Sequence, residues 1–339
     1  MNRFTYARPG DLPAALQAVA EPAAKFIAGG TNLIDLMKYN VERPDRLVDI
    51  RRLPGLDRIE DLDGGLRVGA LVSNSALATD PRVEQHFPLL ASAILHGAST
   101  QLRNAASTGG NLLQRTRCYY FYDPATPCNK REPGTGCPAK EGLSRIHAIL
   151  GASESCIATH PSDMCVALAA LAATVQVSGP GGERVIPFAD FHRLPGDTPW
   201  IDTNLARDEI ITSITLPAEA AAFAPHHTYL KLRDRHSYAF ALVSVAAGLR
   251  MDGDRIAEAR IALGGVAHKP WRDVSAEALL QDQAPGPEAF GRVADHVLAN
   301  AHGYPGNAFK IGLARRAIVR ALAQAAAGTP QRPSDKHFQ

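Results

Sequence analysis

Cys118, Cys128, Cys137 and Cys156 fall in one Gly/Pro-rich stretch of this 339-residue chain, RCYYFYDPATPCNKREPGTGCPAKEGLSRIHAILGASESC. Pro124, Pro127, Pro133, Gly134, Gly136 and Pro138 are turn formers and leave no periodic apolar face, so most of the stretch reads as a long surface loop. A loop beyond about 15 residues inside a compact domain needs a reason. Thiolates gathered on a metal supply one, because metal–sulfur bonds replace the apolar core that the loop lacks. The gaps of nine, eight and eighteen residues contain no C-x2-4-C pair, the short turn on which structural zinc sites are usually built. A four-iron cluster is wider and takes its thiolates from separate turns, which suits these gaps better. Zinc stands as the second thiolate reading. Five cysteines, an odd number, and a start (MNRFTYARPGDL) without an apolar signal region argue against a disulfide framework.

Between residues 115 and 145, Arg115, Arg117, Lys130, Arg131, Lys140 and Arg145 stand against Asp123, Glu132 and Glu141. Such a balance would favour the reduced, more negative state of a cluster, and is equally what a solvated loop carries. Cys165 is separate: with Leu168, Ala169 and Ala172 it shares one helical face and reads as a small buried apolar residue.

The second chemical signal is AKFIAGGTN. A strand that ends in Gly29, Gly30, Thr31 and Asn32 ahead of a helix can aim several backbone N–H groups at one anion, although Gly-Gly after a strand is also an ordinary tight turn. It is not the G-x-G-x-x-G of a Rossmann unit. A second pair, Gly109 and Gly110 with Asn111, follows Ser107 and Thr108. Two such loops can hold the two ends of a dinucleotide.

The elements that must position these loops can be read from pattern. Asp11 caps a short helix with Pro13 in its first turn. Strands at AKFIAGG, RLVDI and GLRVGALV precede a helix-rich block, ATDPRVEQHFPLLASAILHGAS; beyond the cysteines come a helix from Ser162 and strands at TVQVSG, ERVIPF and DEIITSITLP. AEAAAFAPHH reads as a linker. The remainder suggests a small antiparallel sheet with a hairpin at MDGD, covered by two helices. The class is α+β. A formal charge of +2 with scattered basic residues excludes a nucleic-acid footprint. The longest apolar run, Val166 to Val177, is too short to span a membrane.

KFIAGGTNL, ASTGGNL, HPSDMCVALAALAATVQV and YLKLRDRHSYAFALVSVA resemble, in order and spacing, the FAD-binding medium subunits of the xanthine dehydrogenase family of molybdenum hydroxylases. The resemblance implies a PCMH-type FAD-binding domain of two α/β subdomains over residues 1–222, with an insertion at 115–157. A small α+β domain like that of CO dehydrogenase flavoproteins follows over 223–330, then a tail at 331–339. It implies that Lys25, Phe26, Ile27, Ala28, Gly29, Gly30, Thr31, Asn32 and Leu33 hold the FAD diphosphate. Ser107, Thr108, Gly109, Gly110 and Asn111 would continue along it, Asp163 would touch the cofactor, Lys231 would reach the flavin, and Ile211 would pack near its ring. From the residues alone, Asp163 is equally a helix-capping residue and Lys231 a surface strand lysine.

Most such subunits lack the cysteine insertion. The inserted form resembles the FAD subunit of three-subunit bacterial aldehyde oxidoreductases, which implies a [4Fe–4S] cluster on Cys118, Cys128, Cys137 and Cys156. The same resemblance implies a large molybdenum-cofactor partner, a small [2Fe–2S] partner and an external electron acceptor. It also implies either co-export to the periplasm with a signal-bearing partner or a cytoplasmic location. No catalytic acid or base is expected on this chain, and His160, His226, His227 and His236 are left unassigned. The competing readings are a stand-alone FAD oxidase of the vanillyl-alcohol oxidase type and a zinc-stabilised interaction module.

Overall fold

The computed structural model describes residues 1–328; the tail expected at 331–339 lies outside the described residues. Three strands open the chain: β1 (Thr5–Ala7), β2 (Ala24–Ile27) and β3 (Arg46–Asp49) form a parallel sheet in the order β1-β3-β2. The expected cap is present, since Asp11 accepts from Ala14 N–H at 2.9 Å at the head of helix Leu12–Val19. Helix Leu33–Lys38 makes the crossover from β2 to β3, so the glycine turn sits between a strand and a helix, as its sequence required.

The middle of the chain builds a five-stranded antiparallel sheet in the order β4-β5-β8-β6-β7. Its members are β4 (Ile59–Leu62), β5 (Gly65–Gly69), β6 (Thr174–Gly179), β7 (Gly182–Pro187) and β8 (Ile210–Leu216). Helices Pro88–His96 and Asp163–Ala170 pack on each other and share the largest core with this sheet, which holds Leu90, Ile94, Met164, Leu168 and Ile214. Ser162 caps the second of these helices by accepting from Cys165 N–H at 3.0 Å. Every residue of that helix is buried, Cys165 included, as its apolar face predicts.

The last domain is a four-stranded antiparallel sheet, β12-β11-β10-β9, made of β9 (His227–Leu232), β10 (Val243–Asp252), β11 (Arg255–Gly264) and β12 (Trp271–Arg272). The MDGD turn joins β10 to β11 with Gly253 at φ +58°, a backbone that glycine adopts without strain. Helix Phe309–Ala326 lies against this sheet through Ala314, Ala317, Ile318, Ala321 and Leu322, spaced three and four apart. No helix among the described residues is long and apolar enough to cross a membrane.

One expectation is corrected and a second is sharpened. The stretch expected to be a linker contains a 3-10 turn, Ala218–Phe223, that buries Ala220 and Phe223. Phe223 packs under Gly248 of β10, where a methyl group would come within 3.0 Å of it, so the turn belongs to the domain junction. The cysteine insertion, expected on the surface, is exposed along 123–125, 132–135 and 141–143, but it also sends residues inward: Cys118, Cys128, Cys156, Lys130, Ser144 and His147 are all under 9% exposed. Polar anchors account for this. Lys130 donates to Pro199 O at 2.6 Å and pairs with Asp202, while Arg131 donates to the carbonyls of Tyr120 and Phe121 at 2.7 and 2.9 Å. Arg115 bridges Glu42 at 2.8 Å and Asp202 at 2.9 Å. Burial would raise the Asp202 carboxyl, but Lys130 and Arg115 outweigh it and hold it well below the usual carboxylate range. On the opposite side Lys310 donates to His147 O at 2.7 Å and Gly265 O at 2.5 Å, so the insertion is wedged between both domains.

Candidate functional site

The two glycine loops line one cavity of about 730 Å³, together with the first turn of helix Asp163–Ala170 and Lys231 of β9. Gly29 owes its place to a close approach: a Cβ there would stand 1.8 Å from Ala105 O, so only glycine lets the two backbones touch. The loops are tied side to side, since Arg115 N–H donates to Asn32 Oδ1 at 2.8 Å. Asn111 is fixed in turn by donating to Asn74 Oδ1 at 2.8 Å and accepting from Ser162 Oγ at 2.5 Å.

Gly29, Gly30, Thr31, Asn32, Gly110, Asn111, Asp163 and Lys231 all line this cavity. Lys25, Phe26, Ile27, Ala28 and Leu33 lead into or out of the first loop without lining it; Lys25 turns away to pair with Glu42, and Phe26 and Ala28 pack into the N-terminal core. Ser107, Thr108 and Gly109 stand behind the second loop. Ser107 Oγ accepts from Gly110 N–H at 3.2 Å, and the N–H groups of Thr108 and Gly109 are used at 2.8 Å on Val72 O and Ala70 O. Ile211 is buried in β8 within the main core and does not reach the cavity.

Asp163 and Lys231 are joined more strongly than their sequence context suggested. Lys231 Nζ donates to Asp163 Oδ2 at 2.8 Å and to His96 O at 3.0 Å, and Tyr229 O–H donates to Asp163 Oδ1 at 2.7 Å. The two side chains are 7% and 1% exposed, so this is a buried ion pair connecting the middle of the chain to β9. The cavity also gathers Arg103, Tyr238 and Phe240, which sequence reasoning passed over, and Arg117, which it read only as a charge of the cysteine loop. Arg117 sits 5.0 Å from the Phe240 ring centroid and donates to Tyr122 O–H at 2.7 Å, a geometry no local pattern announces.

The four insertion cysteines line a second, enclosed cavity together with Lys130 and His147. Backbone N–H groups already point at their sulfurs: Phe121 and Tyr120 at Cys118, Ile157 and Ala139 at Cys137, and Ala158 at Cys156 at 3.4 Å. Burial pushes the Cys118 thiol up to about 12. Its hydrogen bond to Cys156 brings Cys137 down to about 6. All five cysteines are free. Among the described residues, no three of the four insertion sulfurs lie within 4.8 Å of one another, the crowding that one small ion imposes; His160, Cys165 and His192 are the group that meets it. Burial holds His160 and His192 neutral, and their rings meet edge-on with centroids 4.2 Å apart. His226 lies on Ala325 O at 3.1 Å and His227 on Ala224 O at 2.7 Å, so both serve the domain junction.

A substitution tests the glycine cradle directly. Gly29→Ala is expected to lower stability by about 1–3 kcal/mol, the usual range for forced overpacking, because a carbonyl of the main chain cannot swing aside. Gly10→Ala, whose new methyl would meet nothing within 4 Å, serves as the neutral comparison in the same thermal-unfolding experiment.

Residues 2–219 match the family described as the FAD binding domain in molybdopterin dehydrogenase, and residues 227–325 match the CO dehydrogenase flavoprotein C-terminal domain. Over 330 residues the chain is 53% identical to the aldehyde oxidoreductase FAD-binding subunit PaoB of Escherichia coli K12, covering 96% of this chain and 99% of that protein. Quinoline 2-oxidoreductase from Pseudomonas putida 86 superposes with a TM-score of 0.74 at 26% identity, over 96% of this chain and 98% of the other. Carbon monoxide dehydrogenase from Hydrogenophaga pseudoflava superposes at 0.75 and 27%, with the same coverage.

Proposed function

The chain belongs to the FAD-binding medium subunits of the molybdenum hydroxylase family, and from that footing we propose an electron-transfer subunit of an aldehyde oxidoreductase that carries a [4Fe–4S] cluster beside its FAD. A large molybdenum-cofactor chain and a small [2Fe–2S] chain would be its partners, and an external acceptor would take the electrons. The observation that carries this reading is that both glycine loops and the Asp163–Lys231 pair face one cavity while four cysteines face another nearby.

Bound FAD supplies one- and two-electron chemistry, so no acid or base is required of this chain. What the residues contribute is position and charge. Backbone N–H groups at Gly29–Asn32 would receive the diphosphate, with Gly110 and Asn111 lining the same cavity and Arg103 and Arg117 adding positive charge to it. Lys231, held by Asp163 and the His96 carbonyl, would present a fixed cation to the flavin end. Tyr238 and Phe240, 57% and 48% exposed, offer aromatic surface at the cavity rim.

Cys118, Cys128, Cys137 and Cys156 would hold the cluster. Their sulfurs spread wider than a single zinc ion gathers, and the N–H groups aimed at them suit thiolates that carry a cluster's negative charge. Material purified without oxygen should contain flavin and iron in the proportion of one FAD to one cluster, with flavin absorption bands above a broad iron–sulfur shoulder. Flavin without iron would end the cluster assignment, zinc in place of iron would favour the module reading, and a colourless protein would end both.

A further inference from the structure

His147 lies in the insertion, between Cys137 and Cys156, and neither the glycine loops nor the ligand set accounts for it. Its side chain is buried, 1% exposed, and its Nε2 stands 3.0 Å from Cys118 Sγ. The backbone around it is fixed from three directions. His147 N–H donates to Ser144 O at 2.9 Å, and its carbonyl accepts from Lys310 Nζ at 2.7 Å and Asn307 Nδ2 at 3.2 Å. The following residue, Ala148, donates to Ile157 O at 2.8 Å, next to Cys156. The ring is thus held against the sulfur by the last domain as well as by the insertion.

A neutral imidazole carries one ring proton, and here the choice of nitrogen is decided by the neighbours. Nδ1 is buried without a hydrogen-bond partner. With the proton on Nδ1, a donor would be stranded, and against a metal-bound Cys118 thiolate the Nε2 lone pair would face a sulfur lone pair. With the proton on Nε2, the sulfur receives a hydrogen bond. A thiolate on iron is the better acceptor, so loading the cluster strengthens that preference.

We propose that His147 sets the reduction potential of the cluster by donating Nε2–H to the Cys118 sulfur. The proposal rests on the cluster assignment made above. Adding one electron makes the cluster and its sulfurs more negative, and a hydrogen bond to sulfur stabilises that state more than the oxidised one. The bond therefore raises the potential at which the cluster accepts an electron. His147 is a positioning and tuning residue: it donates no electron and need not be a ligand.

The test is an EPR-monitored redox titration of the full-length subunit, or of the complex that contains it, with iron and flavin measured on each sample. His147→Phe keeps a planar aromatic ring and removes the donor; its cluster signal should appear at a lower potential with iron content unchanged. His147→Gln restores a donor and should recover part of the shift. As an independent measure, the wild-type reduced cluster should show an exchangeable proton and a histidine 15N coupling by ENDOR in labelled protein. Full iron in His147→Phe with an unmoved potential would overturn the proposal, as would loss of iron in both variants, which would make His147 a ligand or a structural residue. Absence of iron from the wild type would instead overturn the cluster assignment, so the two failures are distinguishable.

Discussion

Serine at Cys118, Cys128, Cys137 and Cys156 together is expected to give a chain without iron whose residues 117–156 no longer hold their fold. The apolar material around the cysteines is sparse: Leu36, Phe121 and Ala158 are the other buried members of that cluster. Thiolate–metal bonding in structural sites contributes on the order of 10 kcal/mol, as large as the whole stability of an ordinary domain. Polar anchors such as Lys130 and Arg131 cannot replace it, because they orient the segment and bury little surface. The measurements are iron analysis and limited proteolysis, with cleavage expected inside the insertion while β4–β8 and the last domain stay protected. Cys165→Ala is the matched control. Its sulfur lies in the main core, so iron should be retained with only a modest loss of stability. Iron retained by the quadruple variant would remove the ligand assignment.

Lys231→Met is the second large effect. It leaves the Asp163 carboxylate, 7% exposed, with Tyr229 as a hydrogen-bond donor and without its cation. Stranding one member of a buried pair costs about 3–5 kcal/mol, whereas removing both members together is much milder. The urea midpoint of Lys231→Met should therefore fall sharply. The double variant Lys231→Met/Asp163→Asn should recover more than half of the loss. Flavin content should separate from stability: both variants lose the cation offered to the flavin end, so both should release FAD more readily, read by flavin fluorescence after gel filtration. A double variant whose urea midpoint does not recover would show that the pair is not the energetic unit described here.

Much of this architecture was legible because local rules and tertiary demands agreed. The strand, glycine pair and helix at Ala24–Lys38, the Asp11 cap, the MDGD hairpin and the buried Cys165 each follow from a pattern within a few residues. What escaped was decided by contacts distant in sequence. The insertion has the composition of a surface loop, yet Lys130 reaches Asp202 and Lys310 reaches back to His147, pairs that no window of sequence contains. Arg117 and Phe240 meet at the cavity in the same way. Ile211 illustrates a different limit. It faces Val177 beside a register shift between Gln176 and Val177, and at such a bulge alternation no longer tells which face a residue takes; Ile210 and Ile211 are both buried.

The order in which the clamp is made carries a consequence for biogenesis. Asn307 and Lys310, which secure the carbonyls beside the cysteine cavity, leave the ribosome long after Cys156. At ordinary elongation rates the interval is on the order of ten seconds. During it the four thiols are synthesised but lack the residues that secure the carbonyls beside them, a window in which a donor of the proposed cluster would have access and an oxidant would too. Maturation factors would therefore meet a nascent or newly released chain more readily than a finished one.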